Sequence, residues 1–169
     1  ESGGTNDSRV RSSNFIAYQP ICALTYNHNM GFAFEAACRL KRAKPYVYSD
    51  AEINALLAAA LALPPANGLR RWTYHYLFGL IAVTGMRLSE AIDLQRGDVD
   101  LEEGVLTVRQ SKFGKSRLVP LHPTTRAALR SYAKRRDTRL GSRCGPHFFV
   151  AERGGRLLHQ YVHRVFWRL

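Results

Sequence analysis

The spacing of apolar residues predicts a succession of helices in the first half of the chain beyond residue 48. Ser49 and Glu52 match a capping box, which starts a helix by satisfying backbone N–H groups on both sides of the first turn. Residues 69–84 are apolar nearly all round, a pattern typical of a central and buried helix. Gly85 is suited to the left-handed cap that ends this helix, and residues 88–94 continue as a short helix.

The pattern changes to β structure after this third helix. Residues 105–109 and 117–119 predict the two strands of a hairpin, with its turn at 113–115 and a further extended segment around 99–101. The remaining predicted elements are a helix over 123–136, a buried strand over 148–150 and a final helix over 157–169. We therefore predict an α+β fold that is mainly α, a helical domain with a small antiparallel β-hairpin or three-stranded sheet.

Composition divides the 169 residues into two parts. Residues 1–44 begin with a polar, Gly- and Ser-rich stretch and end in a basic linker, so we expect a disordered or irregular segment there. Residues 45–169 are long enough for one domain.

Three widely spaced cysteines fit reduced thiols in a cytoplasm. His159 and His163 lack the glutamate of a zinc-protease motif, and we predict no metal site.

The excess of basic residues predicts a polyanionic partner. There are 25 basic residues against 13 acidic ones, which gives a net charge of +12. No apolar run is long enough for a membrane span, so nucleic acid is favoured over a membrane. Between Glu103 and Asp137 the charges are all positive, as a phosphate backbone would require. The nine residues of this block are Arg109, Lys112, Lys115, Arg117, Arg126, Arg130, Lys134, Arg135 and Arg136.

One arginine, Arg87, lies within a run that is otherwise mostly apolar. A guanidinium stays charged and needs an anion when its surroundings are apolar. Two anions are available to it. One is Glu90, three residues further along the same helix, and the other is a phosphate brought by a partner. The spacing alone leaves both alternatives open.

Two sequence blocks resemble those of tyrosine recombinases, the phage integrase family. Thr84-Gly85-x-Arg87-x-Ser89-Glu90 resembles the family's first arginine motif, and residues 111–121 resemble its lysine-bearing β-hairpin with the Val-Pro-Leu that follows. The resemblance implies that Arg87 is catalytic with Glu90 in support, and that Lys112 is the catalytic lysine. Lys115 is the neighbouring candidate, and either lysine could instead make a plain phosphate contact. Further residues assigned to DNA binding are Lys115, Arg117, Arg109, Arg126, Arg130 and Lys134.

The resemblance also implies a mechanism and partners. Members of the family cut one DNA strand with a tyrosine hydroxyl and leave a 3′-phosphotyrosyl bond, without a metal or nucleotide cofactor. Fixed cations stabilise the charge that develops on the phosphate oxygens. The implied partners are double-stranded DNA and other recombinase protomers, with no membrane, and the implied location is the cytoplasm at the nucleoid.

The chain also departs from the family pattern. The family's His-x-x-Arg motif is absent, since Val162 follows His159 and Phe166 follows His163 where an arginine should stand. Tyr161 is a poor candidate for the nucleophile. We therefore expect residues 45–169 to be a partial, C-terminally truncated catalytic domain that cannot cleave alone, so enzymatic activity stays open. The alternative is a non-enzymatic DNA-binding module that regulates a full-length recombinase. RNA binding is less favoured, because no aromatic stacking motif is found.

Overall fold

Two helices packed against each other begin the part of the chain that this computed structural model describes, residues 46–109 and 116–169. Helix α1, Asp50–Leu61, starts at the predicted capping box: Glu52 N–H donates to Ser49 Oγ at 3.3 Å, and Ser49 N–H donates to Glu52 Oε2 at 2.8 Å. Helix α2, Arg70–Thr84, ends at Gly85, whose positive φ of 64° and N–H bond to Ile81 O confirm the predicted left-handed cap.

A short helix leads from α2 into a small sheet. Helix α3, Leu88–Asp93, is followed by a 3-10 turn at Arg96–Asp98. The sheet has three antiparallel strands in the order β1 (Val99–Asp100), β2 (Val105–Val108) and β3 (Arg117–Pro120). Leu106 pairs with Val99 on one side and with Val119 on the other, and its side chain is buried. The predicted α+β fold, mainly α with a three-stranded sheet, is confirmed. The turn predicted at 113–115 lies outside the described residues.

The fourth helix is longer than the sequence pattern predicted. Helix α4, Pro123–Leu140, begins with proline at its first turn and continues four residues beyond the predicted end at Arg136. The reason is a buried stripe along one face of the helix, which includes Arg136 and ends at Leu140, and whose spacing of three and four residues is helical. Its members are Leu129, Tyr132, Arg136 and Leu140.

The segment after α4 is buried but is not a strand. Phe148, Phe149 and Val150 are at most 2% exposed, as predicted, yet only isolated bridges occur around them, between Gln95 and His147 and between Val150 and Arg156. The predicted strand over 148–150 is therefore wrong, because side chains satisfy this backbone where a ladder was expected: Arg136 donates to Phe148 O, and Val150 N–H donates to the Tyr132 hydroxyl. Helix α5, His159–Phe166, completes the described chain.

A buried hydroxyl network joins α2, α4 and the segment around Val150. Tyr132 is fully buried, and its hydroxyl lies 3.2 Å from Thr73 Oγ1 and accepts a hydrogen bond from Val150 N–H. Thr73 Oγ1 donates to Val150 O at 3.1 Å. Burial raises the pKa of Tyr132 to about 12. The network thus fixes three elements against one another through satisfied polar groups.

The predicted segment 1–44 lies outside the described residues, and the domain boundary at residue 45 stays a prediction. Within residues 46–109 and 116–169, no helix is both long enough and apolar enough to span a lipid bilayer.

Candidate phosphate-binding cleft

Arg87 lies at the start of α3, where its backbone is extended and its side chain points away from the core. It occupies the N-cap position with φ −69° and ψ 148°, and its side chain is 56% exposed. Its backbone N–H donates to Glu90 Oε2 at 3.0 Å, while its Nη1 lies 3.4 Å from Glu90 Oε1. The guanidinium therefore has a loose contact with Glu90 and remains open to an external anion. Both anions considered from the sequence are accessible to it.

Glu90 binds a second arginine more tightly than it binds Arg87. Arg117, in β3, donates from Nη1 to Glu90 Oε1 at 3.1 Å and from Nη2 to Oε2 at 2.7 Å. The Glu90 side chain is only 6% exposed. The hydrogen bonds from Arg117 hold the pKa of Glu90 below its usual value, with the Arg87 backbone N–H adding to the effect and burial opposing it. Glu90 is thus an ionised carboxylate that joins α3 to β3.

Two guanidinium groups consequently share one carboxylate oxygen. Arg87 Nη1 and Arg117 Nη1 lie 3.4 Å and 3.1 Å from Glu90 Oε1, and the Arg117 side chain is 42% exposed. Two positive charges face one negative charge, so a net positive charge remains at the surface. Guanidinium groups match the geometry of phosphate oxygens and keep their charge at any relevant pH. This arrangement can bind a phosphate diester.

A cleft of about 580 Å³ lies beside this cluster and contains further ion pairs. Asp98, whose side chain is 5% exposed, binds Nε of the exposed Arg109, and Asp93 binds Nη2 of Arg156. His147 also lines the cleft, and its Nδ1 is buried without a hydrogen-bond partner among the described residues. Each carboxylate holds an arginine in a fixed position at the cleft. Among the described residues, no cluster of three or more side chains that could hold a metal ion occurs.

The residues assigned to DNA binding from the sequence fall into separate environments. Arg109 lines the cleft, and Arg117 is joined to it through Glu90. Arg126 Nη1 donates to Glu102 O at 2.9 Å, and Arg130 Nη2 donates to Leu101 O at 2.9 Å and also to the Glu102 carboxylate, so both support the turn between β1 and β2.

The structure does not place the other predicted basic residues at the cleft. Lys134 lies in a different groove, next to Trp72. Lys112 and Lys115 lie outside the described residues. Arg136, which the sequence analysis counted in the positive block, is buried with a side chain 3% exposed and donates to Phe148 O. Arg136 is therefore part of the core and unable to reach a phosphate. Its place among the nine basic residues expected to face a phosphate backbone was wrong.

The tyrosines of the described residues do not line this cleft. Tyr132 and Tyr74 are buried, and burial raises the pKa of each hydroxyl. Tyr161 is 49% exposed on α5 but borders a different cavity, with Arg164 stacked 5.7 Å from its ring centre.

Comparison with known proteins identifies the family. The model of the phage integrase family matches residues 47–169. The chain belongs to the phage integrase family. Arg87, Glu90 and Arg117 all lie in the matched range.

Relatives in this family extend well beyond the matched part. A putative integrase/recombinase of Sinorhizobium fredii, y4rB, is 48% identical over 135 residues, which is 78% of this chain and 43% of that protein. Tyrosine recombinase XerD of Ralstonia nicotianae is 36% identical over 126 residues, covering 74% of this chain and 38% of that protein. The crystal structure of XerA recombinase matches with a TM-score of 0.57 and 28% identity, over 72% of this chain and 40% of that chain. The chain spans less than half the length of these relatives.

Sequence reasoning missed the Glu90–Arg117 pair and the Asp98–Arg109 pair. The partners of the first are 27 residues apart and those of the second 11, and no helical or strand period relates them. No local signal relates the partners of either pair: Arg117 lies opposite Val108 in the sheet, so the hairpin register does not place Arg109 and Arg117 on one face.

Proposed function

We propose that this chain is the DNA-binding part of a site-specific tyrosine recombinase, and that Arg87 and Arg117 together hold the scissile phosphate. The observation that carries the proposal is the convergence of two half-exposed guanidinium groups on the buried Glu90 carboxylate at the edge of a cleft. Family membership and the net charge of +12 support it.

The proposed reaction assigns a role to each residue of the cluster. A tyrosine oxygen attacks the phosphorus, the bond to the 5′ oxygen breaks, and a 3′-phosphotyrosyl bond remains until a 5′ hydroxyl of another strand attacks it in turn. Arg87 and Arg117 stabilise the negative charge on the non-bridging oxygens. Glu90 positions both arginines. Lys112 is the proposed general acid to the departing 5′ oxygen, because an ammonium can release a proton and a guanidinium cannot.

The proposed partners follow from the same reaction. The substrate is double-stranded DNA, and strand exchange between two duplexes requires a catalytic centre at each cleaved strand, so further recombinase protomers take part. We place this activity on DNA in the cytoplasm, at the nucleoid. Arg109 contributes to the cleft, while Lys115 and the two arginines at the β1–β2 turn, Arg126 and Arg130, are proposed as weaker phosphate contacts elsewhere on the DNA.

The test is Arg87→Gln, measured by binding to a labelled duplex of about 30 base pairs over a range of salt concentrations. Removal of one phosphate contact should weaken binding about 3- to 10-fold and make the slope of log K against log salt less steep by about 1. The control is Arg153→Gln, an equal loss of charge at an exposed residue that does not line the cleft.

The thermal midpoint of each variant shows whether binding and folding are separable. Because Arg87 is more than half exposed, Arg87→Gln should keep its midpoint within a few degrees of the parent. Binding and salt slope equal to those of the Arg153 control would rule out phosphate contact by Arg87. A large loss of stability with unchanged affinity would instead favour a binding module in which Arg87 is structural.

A further inference from the structure

A second basic groove lies between the start of α2 and the solvent-facing side of α4. It is lined by Trp72 and by a row of α4 side chains, Ser131, Lys134, Arg135, Thr138 and Arg139, together with Asn67 from the turn before α2. It shares no lining residue with the cleft at Glu90. The groove is therefore a separate surface, which the proposed recombinase chemistry does not use.

The positive charge in this groove is largely uncompensated. Lys134 and Arg135 form no salt bridge with a carboxylate anywhere in ranges 46–109 and 116–169, and only Arg139 is paired, with Glu152 at 3.0 Å. By contrast, the arginines of the Glu90 cleft all have carboxylate partners. A surface cluster without acidic neighbours attracts anions strongly, because nothing in the protein already neutralises it.

The indole of Trp72 holds the central cation in place. The Arg135 guanidinium carbon lies 4.0 Å from the Trp72 ring centre, and that of Arg71 lies 5.7 Å from it. Trp72 itself stacks against Tyr76, with ring centres 6.2 Å apart. Stacking fixes the plane of the Arg135 guanidinium and leaves its N–H donors free, which lowers the entropy lost when an anion binds.

We propose that this groove binds the phosphate backbone of a second segment of DNA. The lining combines Lys and Arg with the hydroxyls of Ser131 and Thr138 and the amide of Asn67, the donor types that contact DNA phosphates irrespective of sequence. From Ser131 to Thr138 the helix advances about 10 Å. That length corresponds to about three phosphates of one strand at 3.4 Å each along the duplex axis. This row of cationic, hydroxyl and amide donors, with a length that matches successive phosphates, favours a phosphate backbone over an acidic protein segment.

The test uses Lys134→Gln/Arg135→Gln in the full chain, with Arg143→Gln/Arg153→Gln as a control that removes the same charge from exposed residues outside both surfaces. One duplex is fixed to beads, and capture of a second, fluorescent duplex by the bound protein is measured. The parent and the control should capture it, and the groove variant should lose about 10-fold in capture. The salt slope for capture of the second duplex should become less steep by about 2, for two lost phosphate contacts, while binding of the first duplex is unchanged.

A second variant removes any ambiguity from loss of the Arg135–Trp72 stack. Thr138→Glu keeps both cations and the stack but places a carboxylate in the groove at an exposed position. It should reduce capture as strongly as the double variant, with the thermal midpoint unchanged. Capture by both groove variants that equals the control would overturn the proposal. So would binding of polyglutamate that competes equally with DNA at this groove, since it would assign the surface to an acidic protein.

These experiments distinguish a failure of the groove inference from a failure of the proposed function. If Arg87→Gln weakens single-duplex binding and the groove variants change nothing, the recombinase assignment stands and this inference fails. If the groove variants abolish capture and Arg87→Gln changes nothing, the second surface stands and the assignment of Arg87 fails.

Discussion

One carboxylate sets the geometry of the candidate site. Glu90 accepts hydrogen bonds from both nitrogens of the Arg117 fork and from the backbone N–H of Arg87, so it fixes the start of α3 against β3. Its side chain is nearly inaccessible, while the two guanidinium groups it holds are about half exposed. A buried anion that holds exposed cations leaves the cations available to a ligand and keeps them from moving apart.

Replacing this carboxylate should cost stability in a pH-dependent way. The pKa of Glu90 is lowered in the folded state, mainly by the hydrogen bonds from Arg117, so the ionised form stabilises the fold above the unfolded-state pKa of about 4.3. This contribution is lost as the pH falls through the lowered, folded-state pKa. Glu90→Gln should reduce the free energy of unfolding by about 1–2 kcal/mol at pH 7, since charged hydrogen bonds are replaced by weaker ones.

Urea unfolding of the parent and Glu90→Gln at pH 7 and near pH 3 checks this expectation. The difference between them should shrink at the lower pH, which lies below the unfolded-state pKa, because part of the stabilisation by the ionised carboxylate is lost there. Glu103→Gln, at an exposed residue in the β1–β2 turn, is the matched control and should show neither effect. A difference between parent and Glu90→Gln that is equal at both pH values would contradict the role given to the ionised carboxylate.

Helix α4 shows how one basic stretch serves three purposes. Arg130 binds a carbonyl and a carboxylate at the β1–β2 turn, Lys134 lies in the Trp72 groove, and Arg136 is buried beneath Phe148. Arg136 Nη1 donates to Phe148 O at 2.8 Å, and its guanidinium carbon lies 5.2 Å from the ring centre of the same residue. The face of the helix on which a basic residue lies therefore decides whether it acts in folding or in binding.

The pair Arg136→Ala and Lys134→Ala tests this division on one helix. Arg136→Ala should lower the free energy of unfolding by about 3 kcal/mol, because it leaves a buried carbonyl unpaired and removes packing. Lys134→Ala should change it by no more than about 0.5 kcal/mol, as at other exposed helix positions. Denaturant unfolding of both variants gives the values. Equal effects in the two variants would mean that Arg136 is not a core residue in solution.

The sequence predicted what depends on near neighbours and missed what depends on distant ones. The capping box at Ser49 and the left-handed cap at Gly85 were predictable, because each is decided within four residues. The burial of Arg136 was not, because a run of basic residues does not show that Phe148, twelve residues later, folds back over the helix. One of the two contacts of Glu90 was predictable. The spacing of three residues indicated the Arg87–Glu90 pair, whereas the Arg117–Glu90 pair depends on how the sheet packs against α3.

Among the described residues, two of the accessible basic surfaces, the Glu90 cleft and the Trp72 groove, differ in how far acidic residues neutralise them, and some basic residues, such as Arg136, are structural. The Glu90 cleft combines cations with carboxylates, as a site that must orient one phosphate requires. The Trp72 groove has cations with few anions, as a surface that attracts a backbone requires. We expect this chain to bind DNA without carrying out chemistry on it.

The 169-residue chain should bind DNA without forming a covalent bond to it. No tyrosine among residues 46–109 and 116–169 lines the cleft beside Glu90, and Tyr132 and Tyr74 are buried in the core. The sequence also holds no His-x-x-Arg, whose arginine would add to the charge at the reacting phosphate. Incubation with a pool of labelled duplexes, each nicked so that cleavage releases a short strand and traps the intermediate, should give a shifted band in native gels and none in denaturing gels.

The native gel serves as the internal control, since it shows that the chain has bound the substrate in which no adduct is found. Tyr161→Phe identifies the nucleophile should a covalent band appear. A band that persists in the denaturing gel and disappears with Tyr161→Phe would make this chain a cleaving enzyme and α5 part of its active site. A band that survives that substitution would point to another tyrosine, such as the exposed Tyr46 or Tyr48. In either case the expectation of binding without chemistry would be wrong.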